Sequence, residues 1–290
     1  MRILVTGREG QVARSLAERG AGRDLVFAAR PDFDLADRDS IGRTIERVRP
    51  GLVISAAAYT AVDRAEDEPA LAMAINGEAP GHIGRAAAAI RAPVIHLSTD
   101  YVFDGSGECA WRENDPTEPI GAYGKSKLAG EQALAGSGAS FAIVRSGWVY
   151  SPFGSNFVKT MLRLAETRDT LGVVDDQYGN PTSALDLADA LLAMADRWRE
   201  QPGHGIDQVY HFAGTGTTDW AGFARAIFAA GAAFGGPACD VASITTAQYP
   251  TKAVRPANSR LDCSKFTATF GHAAPPWQDS LTGVLRRLLG

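Results

Sequence analysis

The sequence predicts an α/β protein with a doubly wound parallel sheet of the Rossmann type and a smaller C-terminal lobe. Three observations support this prediction. Short apolar runs rich in β-branched residues alternate with stretches of helical composition through the first half of the chain. The first run leads directly into a glycine-containing turn, and a second run follows about twenty residues later. Strands that alternate with helices build a parallel sheet with helices on both faces.

The individual elements follow from local composition. Strands are expected where β-branched and other apolar residues cluster in short runs, and helices where apolar residues recur at helical spacing. The predicted strands are 2–6, 25–29, 52–55, 93–98, 141–146 and 209–214, and the predicted helices are 10–20, 38–48, 66–90 and 123–135. Further on, a turn-rich stretch leads into an amphipathic helix within 173–198, another helix follows residue 218, and 250–262 form a loop-rich tail.

The change in regularity near the middle of the chain indicates two domains. Residues 1–150 are predicted to form the Rossmann domain, and residues 151–290 are predicted to form mainly the smaller lobe. Segments near 171–198 and 207–214 are expected to return to the Rossmann sheet, because they carry strand and amphipathic-helix patterns.

The overall composition excludes several classes of protein. The 290 residues carry a formal net charge of −4, without the basic field of a nucleic-acid-binding protein. No run of apolar residues is long enough to span a membrane, and MRILVTG begins a strand rather than a signal peptide, so a cytoplasmic location is expected. The three cysteines are scattered, and neither they nor the histidines show metal-ligand spacing, so no metal is predicted.

The turn after the first strand has the spacing of a phosphate-binding loop. Gly7 and Gly10 stand immediately before the first helix, which begins with Gln11 and Val12. Glycines let the backbone N–H groups and the helix N-terminus approach a pyrophosphate closely. Ala13 stands where a third small residue is often found in dinucleotide-binding turns. An ordinary strand-to-helix turn is the alternative interpretation.

The end of the second predicted strand indicates which dinucleotide binds. The sequence there reads AARPDFDL, with Arg30 at or beside the position where an acidic residue would accept a hydrogen bond from a ribose 2′-hydroxyl. A guanidinium can instead pair with a 2′-phosphate. This favours NADPH, whereas the nearby Asp32 keeps NADH open, and Arg30 could also be an ordinary surface residue.

A tyrosine and a lysine lie one helical turn apart in GAYGKSKLAGE. Tyr123 and Lys127 are i and i+4, so a helix places them on one face. A carbonyl that accepts hydride needs a proton, and a neighbouring ammonium favours phenolate and lowers the pKa of a phenol. Thr99 ends an apolar strand, where ligands bind in open α/β sheets. The alternatives are a solvated helix face and a polar turn.

Seven motifs occur together along nearly the whole chain. The set resembles the extended short-chain dehydrogenase/reductase family. This resemblance implies a Rossmann domain joined to a small sugar-nucleotide-binding domain. The motifs are the TGxxGQ loop at its start, AAAYTAVDRAEDE at 56–68, STDYVFDG at 98–105, YGKSK at 123–127, SGWVY at 146–150, DQYGNPTSA at 176–184 and RPANSRLD at 255–262.

The resemblance also implies roles for individual residues. The implied catalytic set is Thr99, Tyr123 and Lys127. The implied cofactor contacts are Gly10, Gln11 and Val12 at the pyrophosphate, Asp34 and Leu35 near the adenine, and Ala58, Tyr59 and Thr60 beside the nicotinamide-side ribose. The implied substrate contacts are Asp100, Trp148, Tyr101, Val62 and Asn156, with Arg145 and Arg255 as diphosphate partners on grounds of charge as well.

The resemblance further implies a reaction. The expected activity is reduction of the C4 ketone of dTDP-6-deoxy-L-lyxo-4-hexulose by NADPH, with NADH as the alternative. Another sugar-nucleotide epimerase or dehydratase, or a non-catalytic NADP-binding regulatory subunit, would carry similar motifs. Some family members dimerise around magnesium held by glutamates, one of them early in the first helix, where this chain has Arg14 and Ser15. A monomer or weak homodimer without metal is therefore expected.

Overall fold

A computed structural model describes all residues from Met1 to Gly290. Its α-helices, α1 to α11, are Gln11–Arg19, Arg38–Val48, Val62–Ala65, Pro69–Ala72, Ala79–Ala89, Ala122–Ala135, Phe157–Ala165, Ala184–Glu200, Trp220–Gly231, Ser264–Phe270 and Trp277–Leu289. Its strands, β1 to β12, are Ile3–Thr6, Leu25–Ala28, Leu52–Ser55, Val94–Thr99, Phe141–Ser146, Val149–Tyr150, Thr170–Val174, Tyr178–Gly179, Thr182–Ser183, Gln208–His211, Thr218–Asp219 and Asp240–Ile244. None of the helices has both the length and the apolar character needed to cross a membrane.

Six strands form the central sheet, in the order β10-β5-β4-β3-β1-β2. Every pair of neighbours in this sheet is parallel. The chain runs from β1 outward to β2 and then crosses back to β3, so the order reverses between β1 and β3. Ligands of open α/β sheets bind at such a reversal, outside the carboxyl ends of the strands. The predicted doubly wound parallel sheet is confirmed.

Alternating side chains of the sheet enter two separate cores. In β1, Ile3 and Val5 pack into a core with α8, whereas Leu4 packs into a second core with α2 and α5. Helices α1 and α8 contact each other on the first face, and α2, α5 and α6 form a layer on the second. Because successive strand residues point to opposite faces, four consecutive buried residues in β1 supply both cores at once.

A third core lies in the second half of the chain. Its members come mainly from α7, α9 and α11, and they include the fully buried Tyr150 and Phe223. Strand β7 pairs with β12 outside the central sheet, whereas α8 packs on that sheet and β10 is one of its strands. The chain therefore leaves the sheet after β5 and returns to it before the final helices. The division into two domains at residue 150 stays a prediction.

The helical region predicted over 66–90 is less regular than expected. It begins at Val62 and contains a π-helical segment, Met73–Glu78, between α4 and α5. Within this segment Asn76 bonds the backbone of Tyr59, accepting from its N–H at 2.8 Å and donating to its carbonyl at 3.0 Å. A π-turn commonly marks such a local adjustment. These contacts join residues 17 positions apart. Helical periodicity reports only on neighbours within a few turns, so it could not predict this irregularity.

Candidate active site

One large cavity opens at the carboxyl ends of the sheet strands. It has a volume of about 990 Å³ and is lined by residues of both halves of the chain. Most of the residues singled out in the sequence line it. These are Gly7, Gly10, Gln11, Val12, Arg30, Asp34, Leu35, Ala58, Thr60, Val62, Thr99, Asp100, Tyr101, Tyr123, Lys127, Trp148 and Asn156.

The glycine turn has the geometry that an anion requires. Gly7 adopts φ +90°, a left-handed conformation that side chains disfavour, and a Cβ there would lie 3.3 Å from Ala57 Cβ. Gly10 caps α1 without any side-chain hydrogen bond, and no atom lies within 4 Å of a Cβ placed on it. The first N–H groups of α1 are therefore available to phosphate oxygens at the positive end of the helix dipole.

Gln11 links the glycine turn to the second half of the chain. Its side chain donates to the carbonyl of Val149 at 3.2 Å, and its oxygen accepts from Ser151 at 2.8 Å and from Asn156 at 2.9 Å. Asn156 also caps α7 by accepting from the Lys159 N–H at 3.2 Å. The side-chain nitrogen and oxygen of Asn156 thus both have partners within the protein, although the residue lines the cavity.

The far end of the cavity carries the residues expected near the adenosine. Arg30 is exposed and makes no hydrogen bond or salt bridge within the protein, so its guanidinium is free for an external anion. Asp34 is engaged locally, because its side chain accepts from the Ala36 N–H at 3.0 Å. Phe33 also lines this end, a contact that the sequence did not single out.

Thr99, Tyr123 and Lys127 meet on one side of the cavity. Thr99 ends β4, and its hydroxyl donates to Asp100 Oδ1 at 2.8 Å. Tyr123 lies in the first turn of α6, edge-on to the Tyr101 ring with centroids 5.8 Å apart. Lys127 is buried and donates to the Leu97 carbonyl at 2.6 Å. The three predicted catalytic groups therefore line one site, as the helical spacing and strand end indicated.

The electrostatics differ from the expectation that the lysine lowers the tyrosine pKa. Burial raises the pKa of Tyr123 to about 12, and the Thr99 hydroxyl acts in the opposite direction. Burial lowers the pKa of Lys127 to about 8. The Lys127 ammonium lies 3.5 Å from His96 Nε2 and bonds a backbone carbonyl. Removal of the phenol from water therefore dominates its pKa in this structure.

Asp100 is buried in the same site and is only partly paired. Its Oδ1 accepts from Thr99, whereas Oδ2 has no hydrogen-bond partner. Burial raises the pKa of this carboxyl to about 7. A Cβ added to Gly147 would overlap the carboxylate, so the backbone of Gly147 lies directly against Asp100. Asp100 can therefore be protonated near neutral pH and can act as a donor as well as an acceptor.

Trp148 follows Gly147 and occupies a tightly built position. Its φ of +52° is strained for a bulky residue. The indole Nε1 donates to Ser259 Oγ at 3.0 Å, and the ring stacks on Trp220 with centroids 3.5 Å apart. A Cβ on Gly179 would overlap the indole. We call Tyr178, Gly179, Trp220 and Ser259 the Trp148 socket. The sequence did not identify Trp220, although it lines the cavity.

Three expected ligand contacts lie elsewhere. Arg255 does not line the cavity, because it pairs with Asp63 at 2.9 and 3.1 Å. Arg145 is buried in a bidentate pair with Glu131, at 2.9 and 2.7 Å, and it does not line the cavity where a diphosphate contact was expected. Tyr59 is not among the lining residues either, and its hydroxyl donates to Glu68 at 2.7 Å. In each case an internal partner engages the group, although Arg145 Nη1 is buried without a hydrogen-bond partner.

Comparison with known proteins identifies the family. The model of the RmlD substrate binding domain matches residues 1–289. The dTDP-4-dehydrorhamnose reductase of Sinorhizobium fredii is 44% identical over 290 residues, covering 100% of this chain and 98% of the relative. That of Escherichia coli K12 is 40% identical and covers 99% of this chain and 98% of the relative. The chain belongs to the dTDP-4-dehydrorhamnose reductase family.

Solved structures of this reductase family have the same fold over their full length. A dTDP-4-dehydrorhamnose reductase from Clostridium acetobutylicum superposes with a TM-score of 0.92 at 34% identity, covering 99% of each chain. The Bacillus anthracis reductase, whose structure contains NADP, superposes with a TM-score of 0.90 at 31% identity, also covering 99% of each chain. The resemblance found in the sequence motifs is thereby confirmed.

Potential metal ligands are dispersed in this member of the reductase family. No group of three or more His, Cys, Asp or Glu side chains is placed to hold a metal ion. In α1, Arg14 lies over the Phe153 ring at 4.5 Å, and the Ser15 hydroxyl donates to the Gln11 carbonyl at 2.8 Å. The absence of a metal from the working enzyme stays a prediction.

Proposed function

We propose that this protein reduces dTDP-4-dehydrorhamnose, which is dTDP-6-deoxy-L-lyxo-4-hexulose, to dTDP-L-rhamnose with NADPH. The observation that carries this proposal is full-length similarity to dTDP-4-dehydrorhamnose reductases in a chain whose Thr99, Tyr123 and Lys127 line one cavity. Fold alone would not support a reaction, because this fold hosts many chemistries.

The cavity fits a dinucleotide phosphate in its shape and its donors. Gly7 and Gly10 leave room for the pyrophosphate, and the start of α1 offers N–H groups to it. Arg30 is free to pair with a 2′-phosphate, which supports NADPH over NADH. The NADP found in the Bacillus anthracis reductase is consistent with this assignment. When bound, the dinucleotide supplies the hydride for the ketone carbon.

The proposed proton donor is Tyr123. Its raised pKa keeps the phenol protonated at neutral pH, so the proton is available when negative charge develops on the carbonyl oxygen. Lys127 lies one turn along α6 and provides the positive charge that stabilises the phenolate left behind. In the proposed complex the ammonium also contacts the nicotinamide-side ribose.

Thr99 is proposed to polarise and orient the carbonyl. A hydroxyl carries one proton, and in this structure Thr99 donates it to Asp100. When Asp100 is protonated, it can donate to Thr99 instead, which leaves the threonine proton for the substrate. Burial of Asp100 favours that state near neutral pH. Asp100 and Trp148 are further proposed as sugar contacts.

The direct test supplies enzymatically generated dTDP-4-dehydrorhamnose with NADPH or NADH. Consumption of the reduced dinucleotide is followed by its absorbance, and formation of dTDP-L-rhamnose is followed alongside it. The amount of dinucleotide consumed should equal the amount of dTDP-L-rhamnose formed. An epimerase or dehydratase would retain its dinucleotide through turnover and would purify with it bound. Binding of NADPH without any turnover would instead indicate a regulatory subunit.

The assembly and the location of the protein are also proposals. We expect a monomer or weak homodimer, because no acidic cluster is present to hold a metal between two chains. Sedimentation velocity at several concentrations, with and without magnesium, would measure this. A cytoplasmic location is proposed because the donor NADPH and nucleotide sugars are used there, and fractionation of cells would test it.

A further inference from the structure

The Trp148 socket is built from distant parts of the chain. The indole Nε1 of Trp148 donates to Ser259 Oγ at 3.0 Å, and the Ser259 hydroxyl donates to the Tyr178 carbonyl at 3.0 Å. Tyr178 and Ser259 belong to the DQYGNPTSA and RPANSRLD segments. Gly179 leaves the space that the indole fills, since any Cβ there would overlap it. The two motifs thus meet at a single side chain.

Trp220 supports the same indole from the core of the second half. Its ring is parallel to that of Trp148, with an interplanar angle of 4°. On its other side it contacts Phe157, with centroids 4.7 Å apart, and Phe157 stacks on the fully buried Phe223 at 5.4 Å. The Trp148 ring therefore rests on aromatic rings that continue into a packed core, where side chains have little freedom to move.

The backbone of Trp148 is fixed as firmly as its ring. Its carbonyl accepts from the Thr182 N–H at 3.1 Å, and the following residues pair with β9. The left-handed φ of +52° persists only where surrounding contacts impose it. Such strain next to Asp100 in a cavity is typical of a functional position.

We propose that Trp220 and Ser259 are positioning residues, which hold the Trp148 indole as the wall against which the sugar nucleotide binds. This inference rests on the proposed function. A 6-deoxyhexose presents ring C–H groups and a methyl group, which pack on an indole face. That face lines the same cavity as Tyr123, so it contributes to the affinity for the sugar nucleotide. Neither residue needs to react, because each acts through Trp148.

Two substitutions test the two supports separately. Ser259→Ala removes the partner of the indole N–H, and we expect KM for the sugar nucleotide to rise about 2- to 10-fold, the usual effect of one hydrogen bond. Trp220→Ala removes the stacked ring and should raise this KM further, and Trp220→Phe should lie between. The NADPH dissociation constant, measured by titration, should stay within about twofold, since an effect confined to Trp148 leaves the cofactor end intact.

A matched control separates positioning from general destabilisation. Trp198→Phe also deletes an indole, whose N–H donates to the His204 carbonyl at 2.7 Å in a different core. It should lower the melting temperature without changing KM. The Trp220→Phe variant, which retains a ring, keeps the test valid if Trp220→Ala fails to fold. Equal KM values in Ser259→Ala, Trp220→Phe and the unmodified protein would overturn the inference.

A double-mutant cycle shows whether Ser259 acts through Trp148. In a Trp148→Phe background, which lacks the indole N–H, Ser259→Ala should cause no further rise in KM. An undiminished effect in that background would show an independent role and overturn the inference, while leaving the proposed function intact. Absence of turnover in the unmodified protein would overturn the proposed function and this inference with it.

Discussion

The two ends of the cavity are built in different ways. At the proposed cofactor end, Gly7, Gly10 and Gln11 come from one continuous strand-turn-helix segment. At the proposed substrate end, Trp148 depends on Ser259, 111 positions away, and on Trp220 in α9. The first arrangement is local apart from the side-chain bonds of Gln11 to residues 149–156. The second exists only when the whole chain has folded.

This difference predicts how substitutions divide their effects. Changes at the cofactor end should alter dinucleotide affinity, changes in the Trp148 socket should alter sugar-nucleotide affinity, and changes between them should alter kcat. Separate measurement of dinucleotide affinity, sugar-nucleotide affinity and kcat therefore tests whether the two ends act independently.

The largest effect is expected between the two ends, at Tyr123. Tyr123→Phe keeps the ring and removes only the hydroxyl, so folding and NADPH binding should persist while kcat falls by on the order of 10²–10⁴. Tyr101→Phe, which alters the neighbouring ring in the same way, is the matched control for loss of a hydroxyl and should cost much less. Near-native kcat in Tyr123→Phe would rule out the proposed proton donor.

Lys127 should affect both the chemistry and the cofactor end. Lys127→Met removes the ammonium, so kcat should fall on the order of 10², the lower range for acid–base catalysis, and NADPH should bind more weakly. In the unmodified enzyme, kcat/KM should decline above about pH 8, where Lys127 loses its proton. In the variant this decline in kcat/KM should begin at higher pH, because Tyr123 then titrates alone. A decline at the same pH in both proteins would show that a group other than Lys127 causes it.

Arg30 tests the cofactor end alone. Arg30→Ala should remove a charge-assisted contact worth roughly 1.5–3 kcal/mol with the 2′-phosphate and weaken NADPH, leaving NADH nearly unaffected. Arg168→Ala, at another exposed arginine, is the control for loss of a surface charge. Specificity constants for both dinucleotides provide the measurement. Equal losses with NADPH and NADH would show that Arg30 does not contact the phosphate.

Asp100, at the proposed substrate end, should make the stability of the folded protein depend on pH. Its pKa is raised to about 7 in the folded protein, from 3.8, so the unfolded chain releases this proton first as pH rises. Stability should fall between those pH values by up to about 1.4 kcal/mol per pH unit from this group. Denaturation midpoints of Asp100→Asn should decline less steeply over that interval. Parallel curves for the two proteins would contradict the burial argument.

The smallest effect is expected from metal removal. Exhaustive EDTA treatment should leave kcat and sedimentation unchanged, because no cluster of potential ligands is present. Loss of activity that magnesium restores would reveal ligands supplied in another way, for instance by two chains together.

The sequence predicted the sheet, the glycine turn and the Tyr123–Lys127 pair because each depends on short-range periodicity. It did not predict that Arg145 and Arg255 are used internally, since Glu131 lies on a different element from Arg145 and Asp63 is 192 positions from Arg255. Trp220 was missed for the same reason. The pKa of Tyr123 could not be inferred from spacing either, because burial depends on the packed structure.

Gln11 connects the two ends and should couple the binding of one ligand to the binding of the other. Its backbone begins α1 at the phosphate site, while its side chain holds Val149, Ser151 and Asn156. A dinucleotide that steadies the start of α1 would therefore steady the segment that follows Trp148. Each ligand should therefore bind more tightly when the other is present, by the same factor.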